Sequence, residues 1–377
     1  MIKKIFPAIA WLLLAAMALN AEWTTKRLSA NAGNSYWPCL AVSGSTAHAA
    51  WSDDSPGNFE IYYRMSPNKG ASWYPAKRLS NNLGSSYQPV VAASGGNVYA
   101  AWSDDTPGNF DIYFRNSFDG GENWEDTKRL TNNSASSCMP SIAASGSTVY
   151  VAFHDNPTGK YEIYLRKSTN GGATWGAAQM VTDAPGDSEL SSLALSAGNL
   201  YLAWENNAAG NNDIYFMKSI DGGATWKAAK RLTANSGNSG YAKLAVSGTN
   251  VHVTWEDDTS GSGGNQEIYY RRSIDGGATW QSAKRFTNNN GQSRFPTIAV
   301  RSPQVFVMWN DSSIANEEIL CNTSADNGAT WSGIQRITNS SGNSAFAWVA
   351  TNNTKVFVVY EDNTPGDFEI FFKSSPL

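Results

Sequence analysis

Seven copies of one unit, set about 51 residues apart, limit this chain more than any other feature. Arg27, Arg78 and Arg129 head the segments RLS, RLS and RLT at a spacing of 51; the same step leads to Met180 and Arg231, then 54 residues lead to Arg285 and 51 to Arg336. A fixed period of this length indicates stacked supersecondary units, each unable to bury its apolar face alone. Within a unit four extended stretches recur. The first resembles PCLAVS (38–43) or PTIAVR (296–301), and the second VYAAWSDD (98–105) or VHVTWEDD (251–258). The third is EIYYR (60–64) or DIYFR (111–115), and the fourth runs from a repeated Trp to KRL[ST]. Alternating β-branched and aromatic residues suit a pleated sheet. Four such strands per unit describe one blade of a β-propeller. The predicted fold is therefore all-β, with seven blades of four antiparallel strands.

The ends of the chain say how the ring closes. The seventh unit supplies strands at 347–352, 356–362 and 368–373 and then stops, one strand short. At the other end, Trp23 to Leu28 reads as a fourth strand with no blade before it. Pairing the two would remove two sheet edges that invite aggregation. Residues 22–377 are thus expected to form a single domain. Residues 1–21 obey another rule: Lys3 and Lys4 precede an apolar run, Ile5 to Leu19, with small residues at Ala18 and Ala21. This pattern reads as a secretory signal peptide, with a retained membrane anchor as the alternative. The expected location is secreted or periplasmic, with no integral membrane span after cleavage.

Between the third and fourth strands stands an eight-residue motif: SPNKGASW (66–73), SFDGGENW (117–124), STNGGATW (168–175), SIDGGATW (219–226 and 273–280) and SADNGATW (324–331). It resembles the Asp-box (BNR) repeat, S-x-D-x-G-x-T-W, of sialidase-like propellers, and the resemblance covers the whole chain after residue 21. It implies that the box is a turn on the face away from the active site. The physical reading agrees. A side-chain oxygen at Asn68, Asp119, Asn170, Asp221, Asp275 or Asp326 can bond nearby backbone, Gly supplies positive φ, and Trp packs into the sheet. Asn replaces Asp twice, which a proton-transferring carboxylate would not tolerate. The boxes are read as scaffold.

In sialidases, the resemblance implies, three arginines from different blades hold the substrate carboxylate, one of them in an R-[IVFY]-P motif. Arg294-Phe295-Pro296 resembles that motif but lies in the sixth unit, and no second or third partner is apparent. Most other arginines recur with the repeat on the outermost or third strand and read as structural.

Departures from the repeat are then the informative residues, on the face formed by the loops that join blades and those between second and third strands. Ahead of the first strand the units carry Tyr36, Tyr87, Cys138, Glu189, Tyr241, Arg294 and Ala345, followed by Trp37, Gln88, Met139, Leu190, Ala242, Phe295 and Phe346. The candidate ligand-binding set is Tyr36, Trp37, Tyr87, Glu189, Tyr241, Arg294 and Phe295: polar groups beside aromatic platforms, suited to a sugar. Solvated rim residues without a shared role are the alternative. Glu189, Tyr241, Asp155 and His154 are weak catalytic candidates. The second strand ends in a repeated acid, including Asp53, Asp104 and Asp257; these most simply cap local amides, with a Ca²⁺ site as the sharper alternative. No cofactor is required.

With 28 basic and 32 acidic residues the chain lacks a footprint for nucleic acid. Cys39, Cys138 and Cys321 lack CxxC spacing and read as buried thiols. The leading functional expectation is a non-catalytic module binding a glycan or another extracellular polymer. A sialidase-like glycoside hydrolase and a protein-docking scaffold are the alternatives.

Overall fold

The computed structural model describes residues 22–259 and 264–377. The leading segment that carries the expected signal peptide lies outside the described residues. Seven four-stranded antiparallel sheets form the ring. Blade one runs outward from the channel as Ser35–Ser43, Thr46–Asp53, Glu60–Ser66 and Lys77–Arg78. Blade seven is Ser344–Thr351, Lys355–Asp362 and Glu369–Pro376, completed by the N-terminal strand Thr24–Arg27. Thr24 faces Ser374 and Arg27 faces Phe371 in an antiparallel register. The ring is shut by its own leading strand, as the missing seventh fourth strand required.

Second strands such as Asn97–Asp104 are buried at nearly every position, because each sheet is covered on both faces by its neighbours. Their sequences are accordingly continuous apolar runs rather than alternating ones. The core is divided into seven wedges, one at each blade interface among the described residues. Trp51, Trp102, Trp204, Trp255 and Trp309 are fully buried at one equivalent position of the second strand.

Each Asp box is a turn tied by its own side chains. In blade two, Ser117 Oγ donates to Asp119 Oδ1 at 2.7 Å and accepts the Gly121 N–H at 2.9 Å, while Asp119 Oδ1 accepts the Asn123 N–H at 2.8 Å. These bonds to the charged form hold the Asp119 carboxyl down at about 2. The box Trp does more than pack into its own sheet. Trp124 stands edge-on to Tyr63 of the preceding blade with ring centroids 4.9 Å apart, and Trp175 meets Phe114 in the same way. The boxes therefore wedge adjacent blades together on one face.

The repeated arginines are ion-paired rather than bare edge charges. Arg78 reaches Glu60 at 2.5 Å, Arg285 reaches Glu267 at 3.0 Å and Arg336 reaches Glu318 at 2.6 Å, each carboxylate being fully buried. Arg64 and Arg115 on the third strand donate to backbone carbonyls of Leu28 and Leu79, at 2.7 and 3.0 Å, in the preceding turn of the ring.

Candidate functional site

The mouth of the channel is built by a bulge in the first strand of every blade. Pairing slips between Tyr36 and Cys39 in blade one, and likewise between Glu189 and Ser192 in blade four and Arg294 and Thr297 in blade six. At each slip one residue takes a left-handed conformation: Trp37 (φ 50), Gln88 (52), Met139 (52), Leu190 (49), Tyr241 (51), Phe295 (51) and Phe346 (48). Tyr241 thus stands in register with Trp37, and Gly240 with Tyr36, one position from the sequence alignment, because the pairing slips between Gly240 and Lys243 as it does between Tyr36 and Cys39. Such a conformation costs a non-glycine residue about 1 kcal/mol and persists only where its surroundings enforce it. Here it re-aims the chain so that these seven residues ring the opening.

What enforces it is a second ring, buried just behind the first. The residue before the repeated acid of the second strand is Ser52, Ser103, His154, Glu205, Glu256, Asn310 or Glu361, all buried. Five of them accept the N–H of the bulge residue of the next blade. Glu361 takes Trp37 at 3.0 Å, Ser103 takes Met139 at 3.1 Å and His154 Nδ1 takes Leu190 at 3.3 Å. Glu205 takes Tyr241 at 3.1 Å and Glu256 takes Phe295 at 2.7 Å. Ser52 Oγ and Asn310 Oδ1, at the two remaining places, are buried without a partner. Burial pushes Glu205 and Glu256 up to about 7 and Glu361 up to about 8, so all three bind protons near neutrality.

Sequence reasoning singled out only His154 from this ring. The signal was available in the alternation of Ser, His, Glu and Asn beside an otherwise repeated acid, but nothing local reveals that this position points at the next blade's bulge. Because Nδ1 of His154 accepts a backbone N–H, its proton sits on Nε2, which faces Cys138 Sγ at 2.9 Å. Burial holds His154 down to about 4 and Cys138 up to about 12. The pair is a neutral imidazole donating to a thiol, not a base and its nucleophile. Cys138 is half-buried, unlike the fully buried Cys39 and Cys321.

One side of the mouth is aromatic over three blades. Tyr36 lies 5.6 Å from Trp37, 6.0 Å from Phe59 and 5.2 Å from Phe368 between ring centroids. Trp37 and Phe59 both meet Tyr87, at 5.8 and 5.2 Å, and Tyr87 meets Phe110 at 5.9 Å. All six rings are half-buried. Phe59, Phe110 and Phe368 were hidden in the sequence inside repeated turns such as PGNFE, where Phe looked like part of the turn. The other side of the mouth has Tyr241 edge-on to Phe295 at 4.8 Å and Phe295 stacked on Phe346 at 4.4 Å.

Glu189, Tyr241 and Arg294 come from consecutive blades, yet no hydrogen bond or ion pair joins them among the described residues. Arg294 Nε donates to Gln266 Oε1 at 2.7 Å. Tyr241 is raised by burial and by Glu256 and Glu205, and Glu189 is raised by burial and by Asp187. Every other arginine is engaged on the scaffold, with Arg272 and Arg301 at the Asp-box face, held by Asn327 and Asn353. Among the described residues one guanidinium, that of Arg294, borders the mouth, and no three-arginine clamp on a carboxylate is built.

The repeated acids serve local turns. Asp53 accepts from Asn31 Nδ2 at 2.6 Å, Ser35 Oγ at 2.8 Å and the Ser55 N–H at 3.0 Å, and Asp104 and Asp257 repeat the pattern. Asp155 accepts from Asn133 Nδ2 at 2.7 Å. Among the described residues no three His, Cys, Asp or Glu side chains are grouped closely enough to hold a metal ion.

Fold and mouth together define a seven-bladed propeller whose boxes lie on one face and whose variable residues lie on the other. Residues 20–253 match the BNR repeat-like domain, and the chain belongs to that family. No protein of curated function matches the sequence. Among solved structures it is similar to phage phi92 endosialidase, with TM-score 0.57 and 8% identity over 95% of this chain and 69% of that one. It is also similar to Trypanosoma rangeli sialidase, with TM-score 0.53 and 14% identity over 79% of this chain and 56% of that one. A third likeness, at TM-score 0.50 and 12% identity over 93% and 70%, is to the NanB sialidase of Streptococcus pneumoniae. At such identities the shared property is the sialidase-like fold.

Proposed function

We propose that this protein is an exported, non-catalytic propeller that binds a glycan or similar polymer across its channel mouth. The observation that carries the reading is the arc of six aromatic rings from Phe368 to Phe110. Aromatic faces stack on the apolar faces of sugar rings, and an arc over three blades suits a chain better than a single residue. With one arginine at the mouth among the described residues and no cation among the six rings of the arc, little charge is offered to an acidic glycan, and neutral glycans are favoured. A glycan array and affinity electrophoresis in neutral polysaccharides test this, with Trp37→Ala and Phe59→Ala as controls. Retardation that both variants reduce is the expected result. Silence across neutral and acidic glycans at about millimolar sugar defeats the proposal.

A second reading rests on Tyr241, whose phenol lies in the field of Glu205 and Glu256, both near-neutral acids. A phenol beside protonated carboxyl groups could serve a sialidase-like glycoside hydrolase. Failure to release 4-methylumbelliferone from sialosides and common glycosides removes it.

A further inference from the structure

The channel holds a cavity of 460 Å³, lined by first-strand residues of all seven blades from the bulge residues at the mouth inward. Two positions inside the bulge, the seven blades present Cys39, Val90, Ser141, Ser192, Lys243, Thr297 and Trp348. Two of these are large. Trp348 reaches across from blade seven and packs against the core wedges on both sides of blade one and between blades two and three. It forms a floor. Lys243 comes from blade five, past the small Thr297, and sets its ammonium over the Trp348 ring at 5.1 Å. No hydrogen bond or ion pair to Lys243 is present among the described residues. Lys243 is half-buried and lines the cavity.

An ammonium among Val91, Ile142, Leu193, Leu244 and Ile298 is poorly solvated, and the indole face replaces only part of its hydration. Burial alone lowers Lys243 to about 8, so at neutral pH it is charged and short of an anion. Of the lining hydroxyls, Ser141 and Ser191 lie 3.3 Å apart, Ser192 Oγ accepts the Leu244 N–H at 3.0 Å and Thr297 Oγ1 accepts the Val349 N–H at 3.3 Å. A phosphate would need several further donors, whereas a carboxylate needs one cation. The volume falls in the range of small-molecule sites and the walls are apolar.

We propose that the channel holds a second ligand site, deeper than the aromatic arc and sharing only Trp37 with it, in which Lys243 and Trp348 bind a small monocarboxylate with an apolar body. The carboxylate pairs with Lys243 Nζ, and its aliphatic or aromatic body fills the space above the indole. The site does not depend on the polymer-binding reading, since it uses none of the rings of the arc except at the entrance.

Calorimetric titration of the whole protein with hexanoate and 3-phenylpropionate, against hexan-1-ol and 3-phenylpropan-1-ol, provides the test. Each acid is expected to bind at least about tenfold more tightly than its alcohol, because only the acid pairs the half-buried Lys243 cation. Lys243→Met should abolish that preference, and Phe110→Ala, in the arc but outside the cavity lining, should leave it intact. Where Lys243→Met does not fold, ¹³C reductive methylation gives a second measurement: the Lys243 resonance should shift with the acids and not with the alcohols. Equal binding of acid and alcohol, or no binding of either at about 10 mM, overturns the proposal.

Discussion

Glu361 on blade seven accepts the backbone N–H of Trp37 on blade one at 3.0 Å, across the joint where the ring closes. The bond holds Trp37 in its left-handed conformation, with its indole in the arc. Burial raises Glu361 to about 8 in the folded chain, against about 4.3 for an exposed glutamate. The folded state therefore holds a proton that the unfolded chain releases. The stability linked to this group is full below about pH 4.3 and is lost as pH rises through about 8. Between those limits Glu361→Gln, which keeps an accepting carbonyl but does not ionise, should flatten the decline by on the order of 1 kcal/mol per pH unit. Urea denaturation from pH 5 to 8 checks the sign; parallel curves for the two proteins would contradict it.

Closure should depend on one side chain as well as on one strand. Arg27 pairs with Glu369 at 2.5 Å, and Glu369 is 1% exposed. Arg27→Ala leaves that carboxylate buried without its cation, at a loss of about 2–3 kcal/mol once the partial exposure of Arg27 is allowed for. Adding Glu369→Gln should recover part of the loss, as chemical denaturation of the double variant would show.

Adjacent glycines of one Asp box should respond very differently to alanine. A Cβ at Gly121 (φ +93) would lie 1.9 Å from the Tyr63 hydroxyl of the preceding blade, whereas one at Gly120 (φ +77) meets nothing within 4 Å. Gly120→Ala should lose about 1 kcal/mol from backbone strain alone. Gly121→Ala should lose about 3 kcal/mol or more, because two blades must separate. Comparable melting temperatures for the two variants would refute the wedge role of the box.

Cys138 should be inert despite its histidine neighbour. With the thiol pushed up to about 12 and His154 Nδ1 occupied by the Leu190 N–H, little thiolate forms at pH 8. Alkylation by iodoacetamide in the folded protein should run roughly 100-fold slower than for an unperturbed thiol of pKa 8.5. Rapid modification that His154→Ala slows would contradict the inert pairing.

The sequence by itself determined the ring: the seven-fold period, four strands per unit, and the orphan strand Trp23 to Leu28 opposite an incomplete last unit. These are legible because strand period and turn chemistry are local, and because repetition averages away the noise of any one unit. It also singled out Tyr36, Trp37, Tyr87 and Tyr241, which the structure places at the channel mouth. Tertiary structure alone decided what those residues meet. Glu205, Glu256 and Glu361 read as ordinary strand residues until the bulge of the next blade is laid beside them. Phe59, Phe110 and Phe368 became part of a platform only when three blades converged. Lys243 and Trp348, 105 positions apart in the chain, meet because the ring brings blades five and seven to a common axis. A contact across that axis joins positions that no local pattern links, so only closure of the ring could bring it about.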